Sequence, residues 1–417
     1  CFFCSLSDPL YLKPKGLALI LVLLTVADLF ADAVITFDNF NLSEYEEYSI
    51  PVRRTKAMTE LVKERDPGLY RMEKYFRRSN NDAFMHDYAG LSHYSSSEKM
   101  STIRFMGRLG FRDNGNWAFY GQGNTALADS LLGVKYILSQ FDSTGKPYES
   151  ITETEEGYFV YENPYALPLL FASAFGDDIG DCESIRDPFL LQEMMADGIT
   201  GTKNKIFSAI PYVKTHEDDK RTVYEITVEK DGIAEVYFDA PHEQKVMLYY
   251  NGEEFGEYFS NFRWNVLDLG RQEKGTKIEL ALQSENDESL IVDGAYFYTE
   301  DHDRLKAFYE DAVSEKCEIK KLSSSHYTGT VHLDESRGAV FCVPFDENWR
   351  VTADGKEAQI TKTAGNLLGV RLPAGDHSLE FKYISPGQKT GNLVSGITAL
   401  LLALYIVITR RKKADHF

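Results

Sequence analysis

The sequence predicts an α+β fold, mainly β, in which an α/β layer and two β-sandwich modules of jelly-roll type lie between two transmembrane helices. Three observations support this class. Long apolar segments occur near both ends, a mixed helical and extended pattern follows the first, and short strands separated by Asp-Gly and Asn-Gly turns fill the second half. The 417 residues are enough for two or three domains with separate cores.

The first apolar segment predicts a transmembrane helix at 16–37, after a short cytoplasmic segment at 1–15. Its uninterrupted apolar part ends at Ala27. A cleaved signal peptide is the alternative interpretation, because Lys13 and Lys15 precede the apolar part and small residues follow it.

Two carboxylates lie at the outer end of this segment. Asp28 and Asp32 are four residues apart and therefore share one helical face. Carboxylates within a span are costly unless they face water or protein, which makes them candidate functional residues on the membrane face. If the span ends near Ala27, both are hydrated groups outside the lipid. The sequence leaves these two interpretations open.

The last apolar segment predicts a second transmembrane helix at 389–409. Residues 391–409 carry no charged side chain and would extend about 28 Å as a helix, close to the thickness of bilayer hydrocarbon. Four consecutive cations begin at Arg410, in a basic tail at 410–417. Because positive flanks stay in the cytoplasm, we expect both termini there and a large extracytoplasmic domain between the spans.

Residues 38–165 predict an α/β region. A helix is expected at 55–65, closed by the Asp-Pro-Gly sequence that follows, and an amphipathic helix with a Ser-rich N-terminus is expected at 95–110. Residues 126–140 should form a helix that continues into a strand near Lys135.

Two strand series follow. Six short strands predict a β-sandwich module at 166–300, and five more predict a second β module at 301–388, with a leading helix at 302–316. Asp354-Gly355 between two strands predicts a tight hairpin. Cys182, Cys317 and Cys342 are odd in number, so at most one disulfide is expected among them.

Motifs for cofactor chemistry are absent from the sequence. It contains no Walker loop, HExxH or GxSxG, and GQGNTA at 121–126 lacks the βαβ context of a dinucleotide site. Asp177, Asp178, Asp181 and Glu183 do not have EF-hand spacing, which favours a solvated acidic loop over a calcium site. We therefore predict no metal site and no cofactor, and leave open whether a divalent cation is needed.

The charge distribution points to a membrane surface. The net charge of -19 gives no basis for a nucleic-acid partner, but residues 53–112 contain thirteen basic and only seven acidic side chains. This window follows the first span and should lie near lipid headgroups. Arg104 and Arg108 share one helical face behind the serines at 95–97, which suits a phosphate group; the alternative is a capped helix with a solvated face.

Several phrases together resemble the YfhO family of bacterial membrane proteins. They are LYRMEKYF at 69–76, the stretch at 85–110, DSLLGVKYILS at 129–139, the stretches at 161–175 and 186–201, and VPFDENWRVTADGKEAQ with its continuation to Gly391. Their order and spacing are similar to the carboxy-terminal half of the family across nearly the whole chain.

The resemblance implies a multi-pass bacterial membrane protein similar to glycosyltransferases of the GT-C type. Such enzymes take a sugar from a polyprenyl-phosphate carrier, a lipid-linked donor, and add it outside the membrane to a cell-envelope polymer such as lipoteichoic acid. Their catalytic carboxylate usually lies in the first exterior loop, in the half that this chain does not match. On this basis we predict Arg71, Arg104 and Arg108 as donor-phosphate ligands, and His93 and Tyr94 as sugar contacts.

A non-catalytic alternative remains. The chain would then be a membrane-anchored scaffold or binding ectodomain, whose sandwiches present carbohydrate-binding aromatics. The candidate aromatics, for which core packing is the other interpretation, are Tyr249, Tyr250, Tyr258, Phe259 and Trp264.

Overall fold

The computed structural model describes residues 14–40, 44–154, 157–175, 182–260 and 264–414. Contacts divide the chain into two compact units, 1–57 and 58–417, and each is described by itself. The fold is a mixed one with strands in several sheets, as the sequence predicts.

Among the described residues, long helices lie near the two ends of the chain and shorter helices lie between them. They are α1 Pro14–Asn39, α2 Tyr45–Arg65, α3 Asp82–Met85, α4 Met100–Arg108, α5 Ala126–Leu131, α6 Pro188–Thr200, α7 His302–Ala312 and α8 Gln388–Ala414. The predicted closure of the helix after Arg65 and the helix-to-strand transition near Lys135 are both confirmed.

The strands fall into three groups along the chain. The first group is β1 Arg71–Lys74, β2 Arg112–Asp113, β3 Ala118–Phe119, β4 Val134–Ser139, β5 Glu149–Glu153, β6 Phe159–Glu162 and β7 Leu170–Ser173. The second group is β8 Phe207–Ala209, β9 Tyr212–Glu217, β10 Arg221–Thr227, β11 Gly232–Asp239, β12 Val246–Tyr250, β13 Glu253–Tyr258, β14 Leu267–Gln272, β15 Lys277–Ser284 and β16 Gly294–Glu300. The third group is β17 Cys317–Ser323, β18 His326–Leu333, β19 Arg337–Pro344, β20 Trp349–Ala353, β21 Lys356–Ala358, β22 Ile360–Thr363, β23 Leu367–Leu372 and β24 Gly375–Tyr383.

Both predicted span segments are helical. Lys15–Asn39 and Gln388–Ile408 are long and apolar enough to cross a bilayer, and their apolar side chains are exposed in the folded chain. Helix α1 continues past Ala27 through Asp28 and Asp32, so both carboxylates lie within the helix rather than after its end.

The first sandwich is built by the second group of strands. A sheet in the order β13-β12-β15-β10-β9 packs against a sheet in the order β14-β11-β16-β8. Their inner faces bury a separate core around Tyr224, Phe238 and Tyr258. Tyr258 and Phe259 are fully buried, which confirms the core interpretation for these two aromatics.

The second sandwich takes one strand from an earlier part of the chain. Its sheets have the orders β17-β18-β24-β20-β21 and β22-β23-β19-β7. Strand β7 pairs with β19 in antiparallel register, with Phe171 opposite Val340. The first sandwich is therefore inserted between two parts of the second, which differs from the sequential division at 166–300 and 301–388.

One core joins the second sandwich to the α/β region. The α/β sheet has the order β1-β4-β6-β5, and α5, α6 and α7 pack between it and β7. Leu131, Leu191, Leu305 and Phe341 all lie in the same buried apolar cluster. The α/β region and the second sandwich are thus parts of one cooperative structure.

Local sequence signals explain where α6 begins and ends. The Asp187 side chain accepts hydrogen bonds from the backbone amides of Phe189 and Leu190, and Pro188 occupies the first turn. Gly201 ends the helix in the left-handed region with φ 78°. Asp354 and Gly355 also have positive φ and connect β20 to β21, which confirms the predicted hairpin.

Arg71 connects the α/β sheet to the second sandwich. Its side chain is buried in the shared core, and its guanidinium donates to the backbone oxygens of Leu132 and Cys342. The same group lies 3.1 Å from the Cys342 sulfur. A buried cation with these partners holds β1 against β19.

We expect Arg71→Met to lower the free energy of unfolding by about 3 kcal/mol, because two buried carbonyls lose a charged donor. Chemical denaturation of the purified chain in detergent measures this. The matched control is Arg65→Met, which removes an exposed side chain paired with Glu162 at 3.5 Å and should change stability by less than about 0.5 kcal/mol. Equal effects of the two substitutions would contradict the structural role of Arg71.

Candidate functional site

A groove of about 680 Å³ lies at one end of the α/β sheet. It is lined by three segments: the end of α2 with the turn into β1, the loop from α3 towards α4, and the hairpin between β17 and β18. We call it the aromatic groove; its lining residues are Lys63, Asp66, Pro67, Gly68, Leu69, Tyr70, Met72, Ala83, Phe84, Asp87, Tyr88, Ala89, Gly90, His93, Lys321, Ser324 and Tyr327.

Aromatic rings form much of the groove wall. Phe84 is 73% exposed, although a phenylalanine of this size is normally buried. Tyr70 packs edge-on against Tyr136 with ring centroids 4.8 Å apart, and Tyr327 packs against Phe341 at 5.1 Å. Tyr70 and Tyr327 are therefore anchored against core residues, whereas Phe84 is open to a ligand.

The groove carries charges of both signs. Lys63 Nζ lies 3.4 Å from the Asp87 carboxylate, and Lys321 is an exposed cation on the opposite hairpin. Asp66 is directed away into a local network, where its Oδ2 accepts from Lys135 at 2.6 Å and from Tyr136 at 3.1 Å. Burial opposes ionisation of Asp66, but these bonds prevail and lower the pKa of its carboxyl.

His93 is held by two contacts. Its Nε2 lies 2.9 Å from Glu98 Oε1, and its Nδ1 lies 3.3 Å from the backbone oxygen of Leu91. The hydrogen bond to Glu98 raises the pKa of the His93 imidazole, against the effect of partial burial. The imidazolium therefore persists to higher pH than it would in water, and the groove gains a titratable cation.

A buried carboxylate shapes the loop before His93. Glu73 on β1 accepts hydrogen bonds from the backbone amides of Leu91 and Ser92. Burial raises the pKa of Glu73 to about 7, although the amide bonds act in the opposite direction. Its neighbour Lys74 pairs with buried Asp82 at 2.6 Å, which ties α3 to the same strand.

Covalent connectivity places the groove close to helix α8. The backbone amide of Tyr383 donates to Ser325 O at 2.8 Å, and Ser324 lines the groove. Only four residues lie between Tyr383 and Gln388, where α8 begins, and the five steps from one to the other extend at most about 18 Å. The groove therefore lies within a short distance of the start of the C-terminal candidate span.

The three predicted phosphate-binding arginines are not gathered at the groove. Arg71 lines a smaller, largely apolar cavity together with His93 and Glu98, and its guanidinium is engaged by protein. Arg104 is exposed on α4 and pairs with Glu183 at 2.9 Å. Arg108 lies near Asp113, whose pKa is raised by burial and lowered in part by this cation. Their phosphate role stays a prediction.

The predicted serine cap of α4 is wrong. The helix begins at Met100 with Lys99 as its N-cap, and no side chain caps it. Ser95 and Ser97 instead hydrogen-bond to each other at 2.9 Å. These two hydroxyls hydrogen-bond locally and therefore do not cap the backbone amides at the start of α4.

The remaining predicted residues lie in different places. His93 lines the groove, whereas the ring of Tyr94 packs edge-on against Trp117 at 5.1 Å and its amide donates to Asn81. Asp177, Asp178 and Asp181 are outside the described residues. Among the described residues, no group of three His, Cys, Asp or Glu side chains could hold a metal, and Cys317 and Cys342 are free thiols.

Sequence reasoning missed the residues that form most of the groove. Lys63 was counted among the basic residues of 53–112 but was not predicted as a ligand, and Phe84 and Lys321 lie in no recognisable sequence motif. Lys321, Ser324 and Tyr327 are separated from the other lining residues by more than 200 positions. Their proximity follows from the shared core, which no local pattern reveals.

We expect Glu98→Gln to lower the pKa of His93, because the substitution removes the negative charge that favours the imidazolium. The native pair should contribute stability fully below the usual histidine pKa of 6.5 and lose it as pH rises through the raised value. An NMR titration of histidine Cε1 measures the change, with His93→Gln for assignment. Glu380→Gln, which alters a His326–Glu380 pair at 2.8 Å, is the control. An unchanged His93 titration in Glu98→Gln would refute the assignment.

Comparisons with known proteins identify relatives of the whole chain. "Uncharacterized protein YfhO" of Bacillus subtilis (strain 168) is 23% identical over 467 residues, covering 95% of this chain and 53% of the relative. The chain thus spans about half the length of this curated relative.

Two solved structures show partial likeness. Arabinofuranosyltransferase AftD from Mycobacteria matches 38% of this chain and 13% of its own, with 13% identity and a TM-score of 0.18. A glycosyl hydrolase family 2 member from Bacteroides cellulosilyticus matches 40% of this chain and 24% of its own, with 9% identity and a TM-score of 0.18. Likeness at this level carries no argument about function.

The family comparison covers nearly the whole molecule. A family described as "Bacterial membrane protein YfhO" matches residues 2–395. This span includes the α/β region, both sandwiches and the start of α8. The chain therefore belongs to the YfhO family of bacterial membrane proteins.

Proposed function

We propose that the aromatic groove binds the sugar-phosphate end of a lipid-linked donor, in a membrane glycosyltransferase that adds the sugar to a cell-envelope polymer outside the membrane. The carrier would be a polyprenyl phosphate, and a polymer such as lipoteichoic acid would be the acceptor. The observation that carries the proposal is the combination of an exposed aromatic ring, half-buried tyrosines and cations in a groove close in sequence to a candidate span.

The lining of the groove suits both parts of such a ligand. Sugar rings present apolar faces that pack against aromatic side chains, and Phe84 is open for this contact. Lys63 and Lys321 line the groove from two different segments of the chain, and His93 adds positive charge when protonated. Cations of this kind stabilise phosphate oxygens.

The position of the groove supports a ligand anchored in lipid. A prenyl tail stays within the hydrocarbon, so its phosphate remains at headgroup depth. The hairpin bearing Lys321 and Ser324 is tied to Tyr383, five residues before α8 begins. A phosphate at the membrane surface would therefore be within reach of this hairpin.

The chemistry requires a base in addition to the groove. Sugar transfer breaks the bond between the anomeric carbon and the carrier phosphate, so negative charge develops on the leaving phosphate. Lys63, Lys321 and protonated His93 would stabilise that charge, while a carboxylate deprotonates the acceptor hydroxyl. We assign this base to the part of the full protein that lies beyond the length matched here.

We expect Phe84→Ala in the full-length protein to reduce sugar incorporation about two- to tenfold, because one stacking contact is lost. Incorporation of labelled sugar into the envelope polymer is measured in cells that lack the native gene. The matched control is Phe255→Ala, which truncates a phenylalanine that is 50% exposed on the first sandwich. Equal incorporation in both variants would contradict a role for the groove.

Charge reversal separates the groove from the arginines of α4. Lys321→Glu should reduce incorporation if the groove holds the phosphate, whereas Arg104→Glu and Arg108→Glu should reduce it if α4 does. Expression and membrane insertion are checked for each variant. If full-length protein binds the donor but supports no transfer in any strain, the non-catalytic binding alternative replaces the enzyme.

A further inference from the structure

A second cavity lies at the other end of strand β1. It encloses about 320 Å³ between the loop at 121–124, the loop at 141–146 and the start of β14. We call it the loop cavity. Its volume is at the lower end of the range for small-molecule sites and suits a single ring rather than an extended cofactor.

The GQGN sequence forms one wall of this cavity. Gly121 and Gly123 have φ values of 79° and 90°, which glycine adopts without strain. A Cβ at Gly123 would lie 1.9 Å from Gly110 O, so no other residue fits there. The hydrogen bonds of the described residues include no acceptor for the backbone amides of Gln122 and Gly123, which leaves these donors for water or a ligand.

Hydrogen bonds and an ion pair fix the positions of the polar side chains that line the cavity. Asn124 Nδ2 donates to Asp129 Oδ2 at 2.9 Å, and the hydroxyl of Tyr120 reaches the same oxygen at 3.0 Å. Lys146 is buried and its Nζ lies 3.3 Å from Asp268 Oδ2. The cavity therefore presents an amide, an ammonium and a carboxylate in a defined arrangement.

An exposed aromatic ring completes the lining. Phe141 is 53% exposed, yet its backbone is constrained, since its amide donates to Ser139 Oγ at 2.9 Å and its carbonyl accepts from Tyr161 at 3.1 Å. Tyr75 supplies a second ring against which Gly121 packs. A rigidly held, exposed phenylalanine beside fixed polar groups indicates a ligand with one apolar face.

We propose that the loop cavity is a second carbohydrate site, which binds one uncharged sugar ring. Hydroxyl groups both donate and accept hydrogen bonds, so one ring can use the amides of the GQGN loop, Asn124, Lys146 and Asp268 together. The apolar face of the ring would lie on Phe141.

The charge pairing of Lys146 favours a neutral ligand. Its ammonium lies 3.3 Å from Asp268 Oδ2, so this cation already has a carboxylate partner. Burial lowers the pKa of the Lys146 ammonium, but Asp268 and other nearby acidic groups outweigh this effect and raise it. A phosphate or an acidic sugar would have to compete with Asp268 for Lys146, whereas a neutral ring would not.

Strand β1 connects this cavity to the aromatic groove. Tyr70 lines the groove and Tyr75 lines the cavity, with the buried strand between them. Five steps of extended chain would place the Cα atoms of Tyr70 and Tyr75 about 17 Å apart. That a single glycan contacts both sites rests on the proposed function; binding of a sugar ring to the loop cavity does not.

Hydrogen exchange with mass spectrometry can test the cavity directly. The purified chain in detergent is incubated with an equimolar mixture of the methyl glycosides of glucose, galactose and N-acetylglucosamine. We expect slower exchange in peptides covering 120–125 and 141–146, because a bound ring occupies the open amides. Sorbitol, a polyol without a ring, should produce no such change.

Two matched variants distinguish the cavity from the groove. Phe141→Ala should weaken protection at 120–125 with an apparent Kd about two- to tenfold higher, and Phe84→Ala should leave that protection unchanged. Absence of protection by the glycosides, equal protection by sorbitol, or protection insensitive to Phe141→Ala overturns the proposal. Protection at 120–125 without any at 84–93 supports the cavity and counts against the groove as a sugar site.

Discussion

The antiparallel pairing of β7 with β19 determines how the rest of the large unit is arranged. It brings Leu170–Ser173 into a sheet whose other strands lie more than 160 residues later. The pairing closes a long stretch of chain, which is entropically costly, and the shared apolar core offsets that cost. The buried guanidinium of Arg71 joins the same region to β1, so the α/β sheet and the second sandwich are held together by both apolar and polar contacts.

This arrangement explains why two ligand-sized spaces lie at the ends of one short strand. Strand β1 is buried along its length, and the chain before and after it must emerge into loops. At one end the β17–β18 hairpin of the second sandwich closes the aromatic groove. At the other end β14 of the inserted first sandwich closes the loop cavity. Each space therefore depends on contact between the α/β region and a different sandwich.

Local sequence patterns were sufficient to predict many elements, but they failed where side chains had other partners than the expected ones. The C-terminal end of α2, the Asp354-Gly355 hairpin and most strands follow from turn residues and alternation, whereas α2 begins at Tyr45, ten residues before the predicted start. The serines at 95–97 mimic a helix cap, but a hydroxyl pair formed between two of them and α4 began later. His93 lines the groove, and its role as a sugar contact stays a prediction. Arg71, predicted as a phosphate ligand, is engaged by backbone oxygens in the core.

Composition and periodicity were enough to predict two apolar helices and an acidic, β-rich middle, because these properties depend on neighbouring residues. The family was indicated by the resemblance of several sequence phrases and is shown by the match over residues 2–395. Only the tertiary structure revealed the insertion of one sandwich into the other. It also brought Phe84, Lys321 and Tyr327 to one groove. Such contacts arise because segments hundreds of residues apart bury a common core. A local sequence pattern does not show which distant segments share that core.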